Sequence, residues 1–588
     1  MTLTAAIERT ETWPQDPYKG LTYYGVGDVP LFAGRDDDIT VVSSTIGLSN
    51  VRILLLHGMT GCGKSSFLRA GLIPTLETEI AGYKFLRDEN KVPAFVPSTG
   101  NPTASLARVV YQFIAREYAG IGRQSGDSEK IDHEQFLREI ASKNESDFLG
   151  SVEEDTRVLV RTIEQLASYR PRTLVLVIDQ AEEVITLKPG PEGEDARIQF
   201  FDFLGDLSRS PQDFKLIIAF RTEYHGQFYA QLRYGADVSR IADYFLADFT
   251  REQIIEAIVR PTLRERKPGY SESPYDHYGF EYGEDLPGQI ADALLSSGVS
   301  EGVLPALQIV CRRLYEGEKA KATGALRPNE RLEMETAGPS TTSFDHEGGS
   351  ISPPVVKFKI EARAFTGLGG VAGQVDSYLQ GELEAAVRQL SPPWSIRKPK
   401  SNMKEIVRWR KVLGRLVKPQ PNGTFTSDVV PVDELEGEAD RQGCVIPPKD
   451  MFGDLADDKR RILRPRPVTN LKTRNVIPCY SLGHDVLASA LQAWYEKDKL
   501  ERKTVRSLRW AYGLFAVPWM VVWFIQGHNL RHKGYLVGAG ISLMLLLLTF
   551  VPSVRAGMVQ SALADRDTIR KSAAHDDGRP RQAASVKE

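Results

Sequence analysis

The chain has 588 residues, more than one hydrophobic core sustains, so roughly three or four domains are expected. Lys+Arg 74 against Asp+Glu 77 leave a net charge of −3, which removes the global basic field expected of a nucleic-acid-binding protein. No zinc spacing or aromatic-basic motif argues for nucleic acid locally, and Cys62, Cys311, Cys444 and Cys479 are too scattered for a disulfide framework.

In chain order, residues 1–15 read as a polar tail without the apolar stretch of a secretory signal. The run Ile53-Leu54-Leu55-Leu56 then feeds Gly58-Met59-Thr60-Gly61-Cys62-Gly63-Lys64-Ser65, a strand entering a phosphate-binding loop. The glycines let successive N–H groups turn towards phosphate oxygens. Lys64 can reach the β- and γ-phosphates, and the Ser65 hydroxyl can hold Mg²⁺. Ser65 to Leu72 opens a helix whose N-terminal dipole favours the anion. Gly58, Gly61, Cys62, Gly63, Lys64, Ser65 and Ser66 are therefore candidate nucleotide ligands.

Candidate strands are Arg52–Leu56, Pro93–Val96, Thr173–Ile178 and Lys215–Phe220. They alternate with amphipathic stretches such as Ala104–Arg116 and Thr156–Tyr169. That pattern predicts an α/β fold over 16–248, a parallel sheet with flanking crossover helices. The apolar strand Leu174–Ile178 ends in Asp179 and is followed by Gln180-Ala181-Glu182-Glu183. Beside the loop strand, such an Asp can hold Mg²⁺ and a nearby Glu can activate water; Glu182 and Glu183 are not separable by spacing. Arg221 follows Lys215–Phe220, where a cation would face the γ-phosphate.

From Thr250 the pattern turns helical through 249–318. Thr250-Arg251-Glu252-Gln253 reads as a capping box, Pro261 as a stop, and Pro305 as part of the first turn of a helix ending before Gly317. Residues 319–354 are too poor in apolar side chains for a core and read as a disordered linker. Short helices and strands are expected through 355–500, including a helix after Gly369-Gly370-Val371-Ala372-Gly373 and running to Leu390.

Trp510–Ile525 and Tyr535–Pro552 are uncharged apolar runs, expected as two transmembrane helices over 509–552. Lys497, Lys499, Arg502, Lys503, Arg506 and Arg509 precede the first, which predicts that the main body and the polar tail 553–588 are cytoplasmic. A multi-pass protein of the cell membrane, touching lipid through this hairpin, is the resulting expectation.

The order of these motifs resembles the novel STAND NTPase family, signalling relatives of the AAA+ ATPases. The likeness starts at Asp16-Pro17-Tyr18-Lys19-Gly20-Leu21 and Leu31-Phe32-Ala33-Gly34-Arg35-Asp36, and runs through the phosphate loop, Asp179–Glu183 and Phe220-Arg221. It continues in Ile258-Val259-Arg260-Pro261, Leu304–Gln308, Gly369–Gly373 and Gly483-His484-Asp485-Val486-Leu487. The resemblance implies a helical lid and a winged-helix-like domain after the NTPase domain. It also implies Gly34 and Arg35 near adenine or ribose, Pro305 near the base, and His484 on the β-phosphate of ADP. Ala181 departs from the family's usual aromatic residue, and Asp485-Val486 from its commoner Glu-Ala pair.

By the same resemblance, the chain is expected to rest with ADP, bind ATP with Mg²⁺, hydrolyse it slowly and form a homo-oligomer when ATP-bound. Bacterial stress, cell death or anti-phage signalling is the implied setting. A non-catalytic nucleotide-binding scaffold is the alternative. A DNA motor lacks a basic face, and a GTPase lacks an Asn-Lys-x-Asp base-reading motif.

Overall fold

The computed structural model describes residues 13–494 apart from 81, 88–100, 122–127, 169–171, 186–190, 268, 297–301, 325–355, 392–398, 420–424, 458, 467 and 470–475. The expected strand Pro93–Val96, most of the linker and the hairpin at 509–552 lie outside the described residues. The chain divides into two compact units, Met1–Ala490 and Leu491–Glu588, and the first carries the architecture below.

Five strands build the central sheet: β1 (Ile53–Gly58), β2 (Tyr83–Phe85), β3 (Thr173–Ile178), β4 (Phe214–Arg221) and β5 (Ile241–Phe245). They run parallel in the order β2-β3-β4-β1-β5. One sequence expectation is corrected here. The Asp179 strand does not lie beside the loop strand, because β4 is inserted between them and sets Ile218 against both Leu55 and Ile178.

The uninterrupted apolar runs follow from burial on both faces. Ile53, Leu55, Leu174, Leu176, Ile178, Leu216 and Ile218 enter one core. The alternate residues Leu54, Leu56, Val175, Val177, Ile217 and Ala219 enter the other.

Helices cover both faces. α1 (Asp36–Gly47) precedes β1, and the turn α2 (Lys64–Ser66) follows it, continuing as a wide π-helix over Phe67–Leu72. Then come α3 (Pro102–Ile121), α4 (Ser128–Ala141), α5 (Glu145–Glu154), α6 (Arg157–Ser168), α7 (Glu182–Ile185), α8 (Pro191–Arg209) and α9 (His225–Gly235). Leu159, Val160, Ile163 and Leu166 of α6 recur at three- and four-residue spacing and are all buried.

Beyond the sheet, α10 (Arg251–Val259) starts at a Thr250/Gln253 capping box. The short α11 (Pro274–Tyr278), strand β6 (Phe280–Tyr282), α12 (Leu286–Ser296) and α13 (Val303–Ala322) follow. α13 holds Pro305 in its first turn but runs through Gly317 to Ala322, longer than expected; its buried stripe ends at Leu314 and Tyr315, and the last two turns are polar.

β7 (Phe358–Ile360) pairs with β6, and α14 (Ala362–Thr366), α15 (Gly370–Leu390) and α16 (Pro399–Leu413) come next. The hairpin β8 (Val417–Pro419) with β9 (Phe425–Ser427) leads to β10 (Val430–Pro431), α17 (Val432–Gln442) and α18 (Pro448–Ala456). β11 (Leu463–Pro465), the two-residue pair β12 (Val468–Thr469) and β13 (Val476–Ile477), and β14 (Cys479–Leu482) complete it. β14 is the middle strand of an antiparallel sheet, β10-β14-β11.

Among the described residues no helix is long and apolar enough to cross a membrane. The expected multi-pass membrane localisation, with lipid contact through transmembrane helices, is corrected accordingly. The two longest helices after the sheet are amphipathic: α13 carries Arg312, Arg313, Glu316, Glu318, Lys319 and Lys321, and α15 buries one stripe, Gln374, Val375, Tyr378, Leu379, Leu383, Ala386 and Val387.

Candidate functional site

The loop between β1 and α2 is shaped by close backbone approach. A Cβ on Gly58 would lie 2.6 Å from the Leu246 carbonyl oxygen and 2.7 Å from Cys62 Sγ. Gly61 and Gly63 take positive φ, 79° and 90°, so the chain curls around an open centre. The buried Arg35 clamps this curl from outside. Its Nη2 donates to the carbonyls of Cys62 and Ala247, both at 2.8 Å, its Nη1 to Asp38 at 2.9 Å, and its guanidinium lies over Phe249. Lys64 Nζ donates back to the carbonyls of Gly58 and Met59 at 2.8 and 3.0 Å.

Gln180, in the left-handed region at φ 61°, turns the chain between β3 and α7. The turn is tied to β4 by Ala181 N–H donating to the Ala219 carbonyl at 2.9 Å, and it sends Asp179 and Glu182 into one cavity. Asp179 is 1 % exposed and accepts a hydrogen bond from Ser65. Burial raises its carboxyl above the usual range, while Ser65 and Arg69 oppose that rise. Its Oδ2 has no hydrogen-bond partner among the described residues, with Arg69 Nη2 3.9 Å away.

Glu182 is also buried and pairs with Arg221 Nε at 3.1 Å; its Oε2 has no hydrogen-bond partner among the described residues. Glu183, pushed up by burial, instead faces Arg464 Nη2 at 3.8 Å. The geometry thus separates two glutamates that spacing could not.

Across the cavity stands a wall the sequence reasoning reached only through His484. Arg464 of β11 donates to Gln180 Oε1 at 3.0 Å. The guanidinium groups of Arg461 and Arg69 both lie over the Tyr23 ring. Burial, with Arg466 and Arg221 alongside, brings Arg464 down to about 10. Burial, with Arg461, Arg464 and Arg221 alongside, holds His484 down at about 4, hence neutral near pH 7.

A third side is the entry segment and α13. Gln308 Oε1 accepts from Lys19 N–H at 2.9 Å and the Tyr24 hydroxyl at 3.0 Å, and Ser66 Oγ accepts from Tyr24 N–H at 3.1 Å. A Cβ on Gly302, just before α13, would sit 2.6 Å from the Gly61 carbonyl carbon, so this helix abuts the loop itself.

The cavity so enclosed measures ≈ 630 Å³, a size suited to a nucleotide. Of the expected residues, Arg35, Gly61, Cys62, Gly63, Lys64, Ser65, Ser66, Asp179, Glu182, Glu183, Arg221, Pro305 and His484 line it; Gly34 and Gly58 do not. Gly34 packs against Phe249, where a Cβ would come within 2.9 Å, and Arg35 gives three hydrogen bonds to the protein, to Asp38, Cys62 and Ala247. Arg69, Arg461 and Arg464 were missed. Arg69 had a signal, since it lies four residues after Ser65.

Six cationic side chains line the cavity against three carboxylates, a surplus that suits a polyphosphate. Ser65 Oγ and the unpartnered Asp179 oxygen are hard donors of the kind Mg²⁺ takes, so the residues fit that ion.

A parallel sheet with a glycine loop between strand and helix is the fold of an α/β P-loop NTPase. The family model for Novel STAND NTPase 1 matches residues 17–327, and the chain belongs to that family. It is a nucleotide-binding signalling NTPase. The match ends before the wall that carries Arg464 and His484. No curated protein matches the sequence.

Proposed function

We propose that the chain is an ATP-operated switch that binds adenine nucleotide in this cavity, hydrolyses ATP slowly and self-associates in its ATP form. The observation that carries the reading is the cationic surplus gathered around the phosphate loop from two sides of the cavity. Lys64 and the loop N–H groups would take the β- and γ-phosphates, with Ser65 and Asp179 holding Mg²⁺. Bound there, the ion would offset phosphate charge.

Glu182, sealed and held by Arg221, is the residue that would orient and deprotonate water; Arg221 would face the charge that develops in transfer. Pro305 lines the base side, where Leu31, Phe32, Ala33 and Phe249 offer an apolar surface. His484 and Arg464 would bind the diphosphate and keep the far wall closed. A γ-phosphate, needing room beside Glu182 and Arg221, would push that wall away. Bacterial stress, cell-death or anti-phage signalling is the setting the family resemblance favours.

Calorimetric titration of the full chain with ATP tests the reading. Lys64→Ala and Asp179→Ala should each weaken binding by roughly 100-fold. Unchanged affinity in both overturns it. A non-catalytic scaffold instead predicts tight binding, no hydrolysis in wild type or in the Glu182/Glu183 double variant, and one assembly size with ADP and a non-hydrolysable ATP analogue.

A further inference from the structure

Just outside the cavity, at the same carboxyl edge of the sheet, a second group of polar side chains has no role in the reading above. His57 ends the apolar part of β1, His225 opens α9, and Asp243 lies on β5. None of the three lines the nucleotide cavity. His225 Nε2 is 2.8 Å from Asp243 Oδ2, and His57 Nε2 is 3.4 Å from Oδ1 of the same carboxylate. The two imidazole rings are 4.4 Å apart, and one ligand atom from each of the three residues lies within 4.8 Å of the others.

From these contacts we infer that His57, His225 and Asp243 form a binding site for a borderline divalent transition ion, zinc foremost, separate from the Mg²⁺ site. Two imidazole nitrogens and one carboxylate oxygen suit such an ion, whereas Mg²⁺ takes oxygen. Tetrahedral ligation at bonds of about 2.0–2.1 Å sets ligand atoms roughly 3.4 Å apart, within the range already present here.

The surroundings match a metal centre more closely than an ordinary surface ion pair. His57 Nδ1 meets Thr222 Oγ1 at 2.9 Å; donation to that hydroxyl leaves Nε2 with its lone pair directed at the shared carboxylate. Phe220 and Phe245 pack against the His57 ring, and Tyr229 against that of His225, which fixes both rings. His57 is nearly covered while Asp243 is about half exposed, so an ion can enter from solvent. Three protein ligands leave one position for water or for a donor from a partner molecule. An ion there would pin β1, immediately before the phosphate loop, to β5 and to the helix that follows Arg221-Thr222.

The test uses untagged full-length protein, stripped with a chelator and titrated with Co²⁺ as a spectroscopic stand-in and then with Zn²⁺, without nucleotide. One equivalent should bind, with Co²⁺ d–d bands of a nitrogen–oxygen site and no thiolate charge-transfer band. His225→Ala and Asp243→Asn, both at solvent-accessible positions, should each cut affinity by more than the roughly 10-fold expected for Thr222→Val. His277→Ala, in a distant His277–Glu272 pair at 2.7 Å, should leave uptake unchanged. No stoichiometric uptake overturns the inference, and so does uptake that survives both His225→Ala and Asp243→Asn or shows the thiolate band.

Discussion

Along the sheet edge, the cavity wall is made of residues that adjoin in sequence and are fixed by backbone. The loop of Gly58 to Ser65 and the turn of Asp179 to Glu183 are each a few residues long, and β1, β3 and β4 hold them in register. The facing wall has Arg464 on β11 of a small antiparallel sheet, Arg461 just before that strand and His484 just after β14, and it meets the edge through polar side-chain contacts such as Arg464 with Gln180 and Glu183. The first wall is rigid by construction, because moving it means breaking a buried sheet. The second is held by side-chain contacts such as Arg464 with Gln180 and Glu183 and Arg461 over Tyr23, which can be released without breaking a strand pairing of the central sheet. Chemistry is therefore assigned to the edge, and closure to the wall opposite.

The adjacent glutamates offer the sharpest way to break that division. Glu182→Gln should slow hydrolysis by roughly 100-fold or more while ATP affinity stays within a few-fold, since on the proposed reading it removes the general base and leaves the phosphate contacts. Glu183→Gln, which faces Arg464, should leave the hydrolytic step near wild type and speed ADP release. Single-turnover rates and stopped-flow ADP dissociation separate the two. If Glu183→Gln proved the slower in single turnover, the walls would have been given the wrong roles.

A smaller effect is expected from the facing wall alone. Arg464→Ala removes the 3.0 Å bond to Gln180 and the pairing with Glu183. A hydrogen bond from a charged donor contributes about 1.5 kcal/mol, so ADP should leave roughly 10-fold faster. The single-turnover rate at saturating ATP should be little changed. An equal fall in both rates would mean that Arg464 acts on the reaction itself.

How much of this was legible in the sequence follows the same division. The phosphate loop, β3 and Asp179 were readable because each is a local pattern: an apolar run, then a glycine-rich turn or a carboxylate. The insertion of β4 between β3 and β1 was not, since strand order depends on crossovers that leave no mark in any one segment. The facing wall did carry a signal, four arginines within Arg460-Arg461-Ile462-Leu463-Arg464-Pro465-Arg466. Its meaning lay in partners some 280 residues away, such as Gln180 at a separation of 284. Arg35 shows the converse: its position was legible, but its hydrogen bonds to Cys62, Ala247 and Asp38 were not.

The smallest effect concerns His484 and depends on pH. Burial and the nearby Arg461, Arg464 and Arg221 hold its imidazole down at about 4, against about 6.5 for a free histidine. Between those values the opened or unfolded chain binds a proton that the closed form refuses. Stability of the closed form is therefore complete above about pH 6.5 and declines as pH falls towards 4. Because His484 is not fully sealed from solvent, about 1 kcal/mol by pH 5 is the expected loss, read as a lower melting temperature of nucleotide-free protein. His484→Gln should flatten that part of the profile; an unchanged slope would place the titration elsewhere. A diphosphate beside the ring favours the imidazolium, so added ADP should shrink the acid loss in wild type and leave the His484→Gln profile unmoved. That difference would tie the facing wall to the phosphates directly, without relying on the rate of hydrolysis.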